Sequence, residues 1–437
     1  MDELIYVSAT ALAQAIRAGK VSSEEVVEAH LRRIEAVNPH LNAVVQLAAG
    51  SARAQAREAD AALTRGEVRG PLHGVPFTAK DWLETEGIVC AGGFKERADF
   101  VPKQDATVVA RMRAAGAILL GKTNALLMDP SSGSTAGNPV YGPTNNPYDL
   151  ARTPGYSSGG EAAIIAAGGS PLGLGSDSGG SIRMPAHCCG IAGLRPTTGR
   201  VPNTGHFPRI GALSDPRTQI GPMARFVEDL ALALPIISGV DWRDSSVIPM
   251  PLGDPSTVDI EGLRAAFYTN DGIACPTPET VETAREAARA LAEAGLVEEA
   301  RPRRIEEAYD LSLKYWRRRQ MTGAEVDDSL FEWDRFRRAM LSFMEGHDVI
   351  LCPVCERPAP PHAATGDRAT RDISYTLTFS LTGWPCIAVR AGASPEGLPI
   401  GVQVVARPWR EDVALAVARL IEAALGGWRP SPLLAGH

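Results

Sequence analysis

Apolar residues recur along the chain at two spacings, and the alternation between them lays out the expected elements. Ser22 followed by Glu25 reads as a capping box, and Val27, Leu31 and Ile34 then repeat at helical spacing until Asn38 and Pro39 stop the helix. Residues 72–79 read as a largely buried strand that leads into Lys80. Residues 108–115 read as a helix stopped by Gly116, and 117–120 as a short apolar strand. A small-residue helix is expected over 161–167, and a long Ala-rich one over 278–294, ending at Gly295. Strands are expected over 348–351, 386–389 and 400–405, with a closing helix over 412–425. Strands alternating with helices predict an α/β fold: a single large domain with a central mixed β-sheet covered by helices on both faces. The Pro-rich stretch 249–255 reads as a surface loop rather than a domain boundary.

Composition narrows the classes of function. The chain has 437 residues, 44% of them hydrophobic, enough for a large core. Its formal net charge is −7, and without a long basic run nucleic acid is not an expected partner. Met1, Asp2, Glu3 and Leu4 lack the basic and apolar regions of a signal peptide, and no stretch approaches the roughly 18 apolar residues of a membrane span. Seven cysteines without a tight framework point to a reducing cytoplasm.

The candidate chemistry lies between Thr153 and Thr197. Two serine sites, Ser157 with Ser158 and then Ser181, each stand beside paired glycines, with an Ala-rich segment between them and a lone lysine, Lys80, upstream. Serines amid glycines offer exposed hydroxyls and approachable backbone N–H groups, as an acyl-transfer site requires. The apolar residues Ile164, Ile165, Leu172, Leu174 and Ile182 argue against a flexible linker.

Gly74, Val75 and Pro76 precede Lys80 and Asp81; then come Gly155-Tyr156-Ser157-Ser158-Gly159-Gly160 and Gly175-Ser176-Asp177-Ser178-Gly179-Gly180-Ser181-Ile182-Arg183. Pro185, Ala186, Gly190, Gly193 and the run from Leu194 to Thr197 follow. In these residues the chain resembles the amidase signature family, serine amide hydrolases that use a Ser–cis-Ser–Lys triad. Shorter phrases near Arg33, Gly121, Tyr141 and Gly397 extend the likeness over nearly the whole chain. The resemblance implies one amidase signature domain over 1–437, with a catalytic core segment at 71–200, an N-terminal helical segment at 1–70 and a more variable segment at 240–345.

The resemblance makes Ser181 the nucleophile, Lys80 the ultimate base and Ser157 the relay between them. Lys80 can act as a base only when neutral, so burial must lower its pKa from an ordinary value of about 10.4. A cis peptide bond is implied between Tyr156 and Ser157. The backbone N–H groups of Ser178, Gly179, Gly180 and Ser181 would form the oxyanion hole. Asp177 and Arg183 are expected to pair and hold this loop, Ser158 to join the network or brace it, and His187 to be structural. No metal or organic cofactor is required.

Residues 116–123 satisfy the P-loop pattern GxxxxGK[ST], but their four variable positions are apolar and the helix comes before them, not after. Cys352 and Cys355 form a lone CxxC, and Cys188-Cys189 read as small packing residues. Two departures from the family pattern stand out. Tyr156 replaces a usual glycine, and Leu126-Leu127 replace more polar residues. Tyr156, Met128 and Trp384 are the candidate substrate-binding residues, and their character suggests an apolar or aromatic substrate. The leading function is therefore a stand-alone amidase of small neutral carboxylic amides, aryl or acyl amides among them, with ester- or carbamate-cleaving side activity. The alternative is the glutaminase subunit of an amidotransferase complex. The expected partner is a small amide substrate, with no membrane, and homo-oligomerisation is left open.

Overall fold

The computed structural model describes residues 3–127, 137–210, 215–362 and 371–434. Its strands are β1 (Val44–Leu47), β2 (Pro76–Lys80), β3 (Ile118–Thr123), β4 (Gly137–Asn138), β5 (Gly142–Pro143), β6 (Leu172–Asp177) and β7 (Ala192–Arg195), followed by β8 (Gln219–Ala224), β9 (Arg264–Phe267), β10 (Leu296–Glu299), β11 (Val349–Pro353), β12 (Cys386–Ala393) and β13 (Pro399–Ala406). Eleven of them form one sheet in the order β1-β3-β2-β6-β8-β7-β12-β13-β11-β9-β10, and β4 pairs only with β5. Neighbours β3, β2 and β6 run parallel, as do β11, β9 and β10, and the other pairings in the large sheet are antiparallel. The sheet is mixed, as expected.

Successive side chains of a strand point to opposite faces. Leu119 of β3 packs into one apolar cluster with Leu12, Val108, Leu230, Ala287 and Val417, whereas Ile118 and Leu120 pack into another with Val27, Ala56 and Ile165. In β13, Val402 and Val404 join the first cluster, and Val405 joins a third with Trp333, Phe336 and Phe379. Helices therefore cover both faces.

Local signals explain most element ends. The helix Ser23–Leu41 carries the expected capping box: Ser22 Oγ accepts from Glu25 N at 3.1 Å, and Glu25 Oε2 accepts from Ser22 N at 2.8 Å. It runs past Pro39, which sits in the last turn, and ends at Asn42 in the left-handed region (φ 51°). The helix Thr107–Ala114 stops before Gly116 (φ 90°), and residues 118–123 are strand, so the P-loop pattern has no P-loop geometry. The helix Pro278–Ala292 ends two residues before the expected 294. Among the described residues no helix is long and apolar enough to cross a membrane.

Candidate active site

Strands β2 and β6 are parallel neighbours, so their C-terminal ends open on the same edge of the sheet. Ligands of open α/β sheets gather at such an edge. Lys80 is the last residue of β2, Asp177 is the last of β6, and the loop carrying Ser181 follows directly. The third part is the turn ahead of the helix Gly159–Ala166. Ser158 ties that turn down: its Oγ donates to Ser176 O at 3.2 Å and accepts from Ser176 N at 3.3 Å. Its own N–H donates to Ser181 O at 3.3 Å, which sets the two serine loops side by side.

Lys80 is fully buried. Its Nζ lies 2.6 Å from Ser157 Oγ, 3.0 Å from Ser176 Oγ and 3.5 Å from Ser176 O, and 3.8 Å over the Trp82 ring. Burial pushes its pKa well below the ordinary lysine value, while Asp177 and Glu161 pull the other way. Neither carboxylate is free to hold an ammonium. Glu161 Oε2 accepts from Thr123 Oγ1 at 2.7 Å and Oε1 accepts from Thr78 Oγ1, and burial raises its pKa to about 7. Asp177 is claimed by Arg183, whose Nε and a terminal nitrogen each donate to it at 3.0 Å. Burial opposes ionisation of Asp177, but Arg183 and Arg195 outweigh it and hold the pKa down at about 2. Burial therefore favours the neutral form of the lysine that sequence reasoning required.

The expected Asp177–Arg183 pair does hold the nucleophile loop. Asp177 also accepts from the N–H groups of Gly180 at 2.7 Å and Ile182 at 3.2 Å. Arg183 reaches on to Thr376 O at 3.0 Å and Ser380 Oγ at 2.8 Å on the helix Ser374–Thr382. Thr376 Oγ1 in turn donates to Gly179 O at 2.7 Å. This geometry trims the expected oxyanion hole. The Gly180 N–H is engaged by Asp177, whereas those of Ser178, Gly179 and Ser181 have no hydrogen-bond acceptor among the described residues. Gly180 sits at φ 128°, and a β-carbon there would strike Thr376 Oγ1, so the position demands glycine.

Other expectations fare differently. Among the described residues the one cis peptide is Phe207–Pro208, so the bond between Tyr156 and Ser157 is trans, and the turn is closed by Gly159 N–H donating to Tyr156 O at 2.7 Å. No hydrogen bond joins Ser157 to Ser181 among the described residues. Met128 lies outside the described residues. Burial drives the Tyr156 phenol well above its ordinary pKa, with Asp372, Cys355, Cys188 and Arg357 around it. Trp384 is buried and lines a cavity of about 320 Å³ with Thr197, Trp333 and Trp409, a lining that includes neither Lys80 nor either serine. His187 is structural: it accepts from Gly401 N at 2.9 Å and its Nε2 faces Arg357 O at 2.9 Å. Burial raises the thiols of Cys188 and Cys189 far above the range of a nucleophile.

Sequence reasoning missed five residues around Lys80 and the Ser181 loop. Ser176 touches Lys80 directly, and His206 Nε2 lies 2.9 Å from Ser176 Oγ. Trp82 caps the amine, and its position two residues past Lys80 was the only available signal. A β-carbon at Gly179 would stand 3.2 Å from Leu377 Cδ2 and 3.7 Å from Trp316 Cζ2, so an apolar wall flanks the free N–H groups. Trp316 carried no local signal, because the helix Glu307–Arg317 reaches the loop only through tertiary packing.

The family model for Amidase matches residues 25–322 and 326–415. An acylamidase of Rhodococcus erythropolis is 34% identical, over 97% of this chain and 96% of its own length. A glutamyl-tRNA(Gln) amidotransferase subunit of Anaeromyxobacter sp. (strain K) is also 34% identical, over 94% of each. The solved structure of 6-aminohexanoate cyclic dimer hydrolase complexed with substrate superposes with a TM-score of 0.86 at 29% identity, covering 98% of this chain and 99% of the other.

Proposed function

Because this chain belongs to the amidase signature family, we propose that it is a stand-alone serine amidase acting on small neutral carboxylic amides through an acyl-enzyme. One observation carries the reading: a buried Lys80 amine lies 2.6 Å from Ser157 Oγ, with no carboxylate among the described residues in hydrogen-bond contact to keep it charged. A neutral amine there can take the Ser157 proton while Ser157 takes that of Ser181, and Ser181 Oγ attacks the carbonyl carbon. The N–H groups of Ser178, Gly179 and Ser181 receive the developing oxyanion. The proton returns to the leaving amine, and water then attacks the ester of Ser181 by the same route.

The apolar wall of Leu377 and Trp316 beside Gly179 supports a neutral, apolar acyl or aryl group in preference to free glutamine. Tyr156 keeps its place as a candidate wall residue, since it immediately precedes the relay serine. Trp384 serves packing and its own cavity rather than the reacting carbonyl.

The test is release of aniline from a neutral aryl anilide by the purified protein alone, with Ser181→Ala as control. Release by the native protein and none by the variant is the expected result. Inactivity on anilides, with ammonia released from glutamine once partner proteins are added, would overturn the stand-alone reading.

A further inference from the structure

We propose that His206 is a positioning residue that sets the direction of the hydrogen bonds around Lys80, so that the amine lone pair is left facing Ser157. The inference rests on the reading of Lys80 as the base.

His206 is buried, and its loop lies against the residues that follow β2: Glu84 N–H donates to Gly205 O at 2.9 Å, and Phe207 N–H donates to Trp82 O at 2.7 Å. Its Nδ1 faces Pro208 O at 2.9 Å. A carbonyl oxygen can only accept, so Nδ1 carries the proton. In the neutral ring Nε2 then has only a lone pair to offer. Burial holds the ring neutral by lowering its pKa to about 4, against the pull of the Pro208 carbonyl and Asp215. Ser176 Oγ, 2.9 Å from Nε2, must therefore direct its one hydrogen to His206.

The consequence passes to Lys80. With its hydrogen committed, Ser176 Oγ can only accept from Nζ across the 3.0 Å contact. The remaining neighbours, Ser176 O at 3.5 Å and the face of Trp82 at 3.8 Å, also only accept. A neutral amine has two hydrogens and one lone pair. Both hydrogens have acceptors in Ser176 and Trp82, so the lone pair falls to Ser157 Oγ at 2.6 Å, among the described residues the one neighbour with a proton to give. Without the His206 acceptor, the Ser176 hydroxyl is free to turn and donate to Nζ. That would occupy the lone pair and silence the base.

The experiment is a double-mutant cycle read by the rate of Ser181 phosphonylation, using a neutral alkyl fluorophosphonate and intact-mass detection. The reaction forms the Ser181 O–P bond, expels fluoride and sends the serine proton to Lys80, and its saturation behaviour separates binding from chemistry. His206→Phe keeps a ring edge-on to Trp82 (centroids 5.6 Å apart) but removes the acceptor. It should lower the limiting rate at least about tenfold with probe binding changed less than about twofold. His206→Gln, whose amide oxygen can accept from Ser176, should recover most of the rate. In a Ser176→Ala background His206→Phe should change the rate by less than about twofold, because no hydroxyl remains to orient. Equal losses in both backgrounds, or a His206→Gln variant as slow as His206→Phe, would overturn the proposal and leave His206 a packing residue. Failure of the native protein to be labelled, or labelling that survives Lys80→Met, would instead overturn the reading of the triad itself.

Discussion

Glu161→Gln tests how the fold manages charge near the buried Lys80 amine. Glu161 is fully buried, and its pKa is raised to about 7, chiefly by burial, with the Thr78 and Thr123 hydroxyls and the lysines opposing. A carboxyl whose folded pKa lies above its unfolded value favours the fold while protonated. That contribution is complete below the unfolded value, about 4.5, and is lost as pH rises through about 7. The shift corresponds to about 3 kcal/mol in total, of which about 2 kcal/mol falls between about pH 5.5 and pH 8.5. Gln mimics the protonated acid in shape, in volume and in offering one donor side and one acceptor side to the two threonines. The two proteins should be nearly equal in stability at acid pH, and Glu161→Gln should be the more stable by about 2 kcal/mol more at pH 8.5 than at pH 5.5. Urea unfolding of both proteins across that range measures this, and other titrating groups, Glu422 among them, cancel in the difference. The same variant gives a kinetic readout: Glu161 raises the pKa of Lys80, so its removal should move the acid limb of kcat/KM to lower pH. A stability difference that stays flat with pH, together with an unmoved acid limb, would refute the assignment of a carboxyl that charges only near neutrality.

Lys80→Met should leave the melting temperature unchanged or raised, because a buried amine without a contacting carboxylate contributes little to folding, while turnover falls about 10²–10⁴-fold; a large drop in melting temperature would mean that the lysine is held as a cation. Arg183→Met strands the buried Asp177 carboxylate and should cost about 3–5 kcal/mol in denaturant unfolding. Where the variant folds, loss of the neighbouring cation should leave Asp177 freer to charge Lys80 and should move the acid limb of kcat/KM upward; a downward move would contradict the electrostatics. Trp316→Ala should raise KM for an aryl amide several-fold more than for a short aliphatic amide, and equal effects on both would remove Trp316 from the acyl or aryl wall.

The sequence made legible whatever is local. Lys80, Ser157 and Ser181 stand in dense motifs, and the capping box at Ser22, the stop at Gly116 and the closing helix Glu411–Leu425 follow from short-range chemistry. What it hid is tertiary. Strand β8, absent from the elements expected from the sequence, contains Gly221 and Pro222, yet it pairs along its whole length with β6 and is joined by β7 only at Met223 and Ala224. The helix Ser374–Thr382 is rich in Ser and Thr and shows no amphipathic period because it is buried all round. Its hydroxyls bond back along the helix, Ser380 to Thr376 O at 3.0 Å and Thr382 to Phe379 O at 3.2 Å, which lets so polar a helix be buried. His206 had no signal at all, since only the course of the loop over the end of β2 brings it to Ser176.

These hidden elements share one consequence for the base. Two carboxyl groups, Asp177 and Glu161, act on Lys80 strongly enough to raise its pKa, and either one in direct contact would fix it as an ammonium. Each is engaged by partners other than the amine. Asp177 is held by Arg183, which is anchored on the helix Ser374–Thr382, and Glu161 by hydroxyls on β2 and β3. Among the described residues the lysine thus meets hydroxyl oxygens, a carbonyl and an aromatic face instead of a counter-ion. The motif supplies a lysine and two serines, but the arginine and threonine partners that keep the neighbouring carboxyl groups engaged are scattered along the chain. Substitutions at those partners should therefore change activity through the protonation of Lys80 before they change the shape of the site.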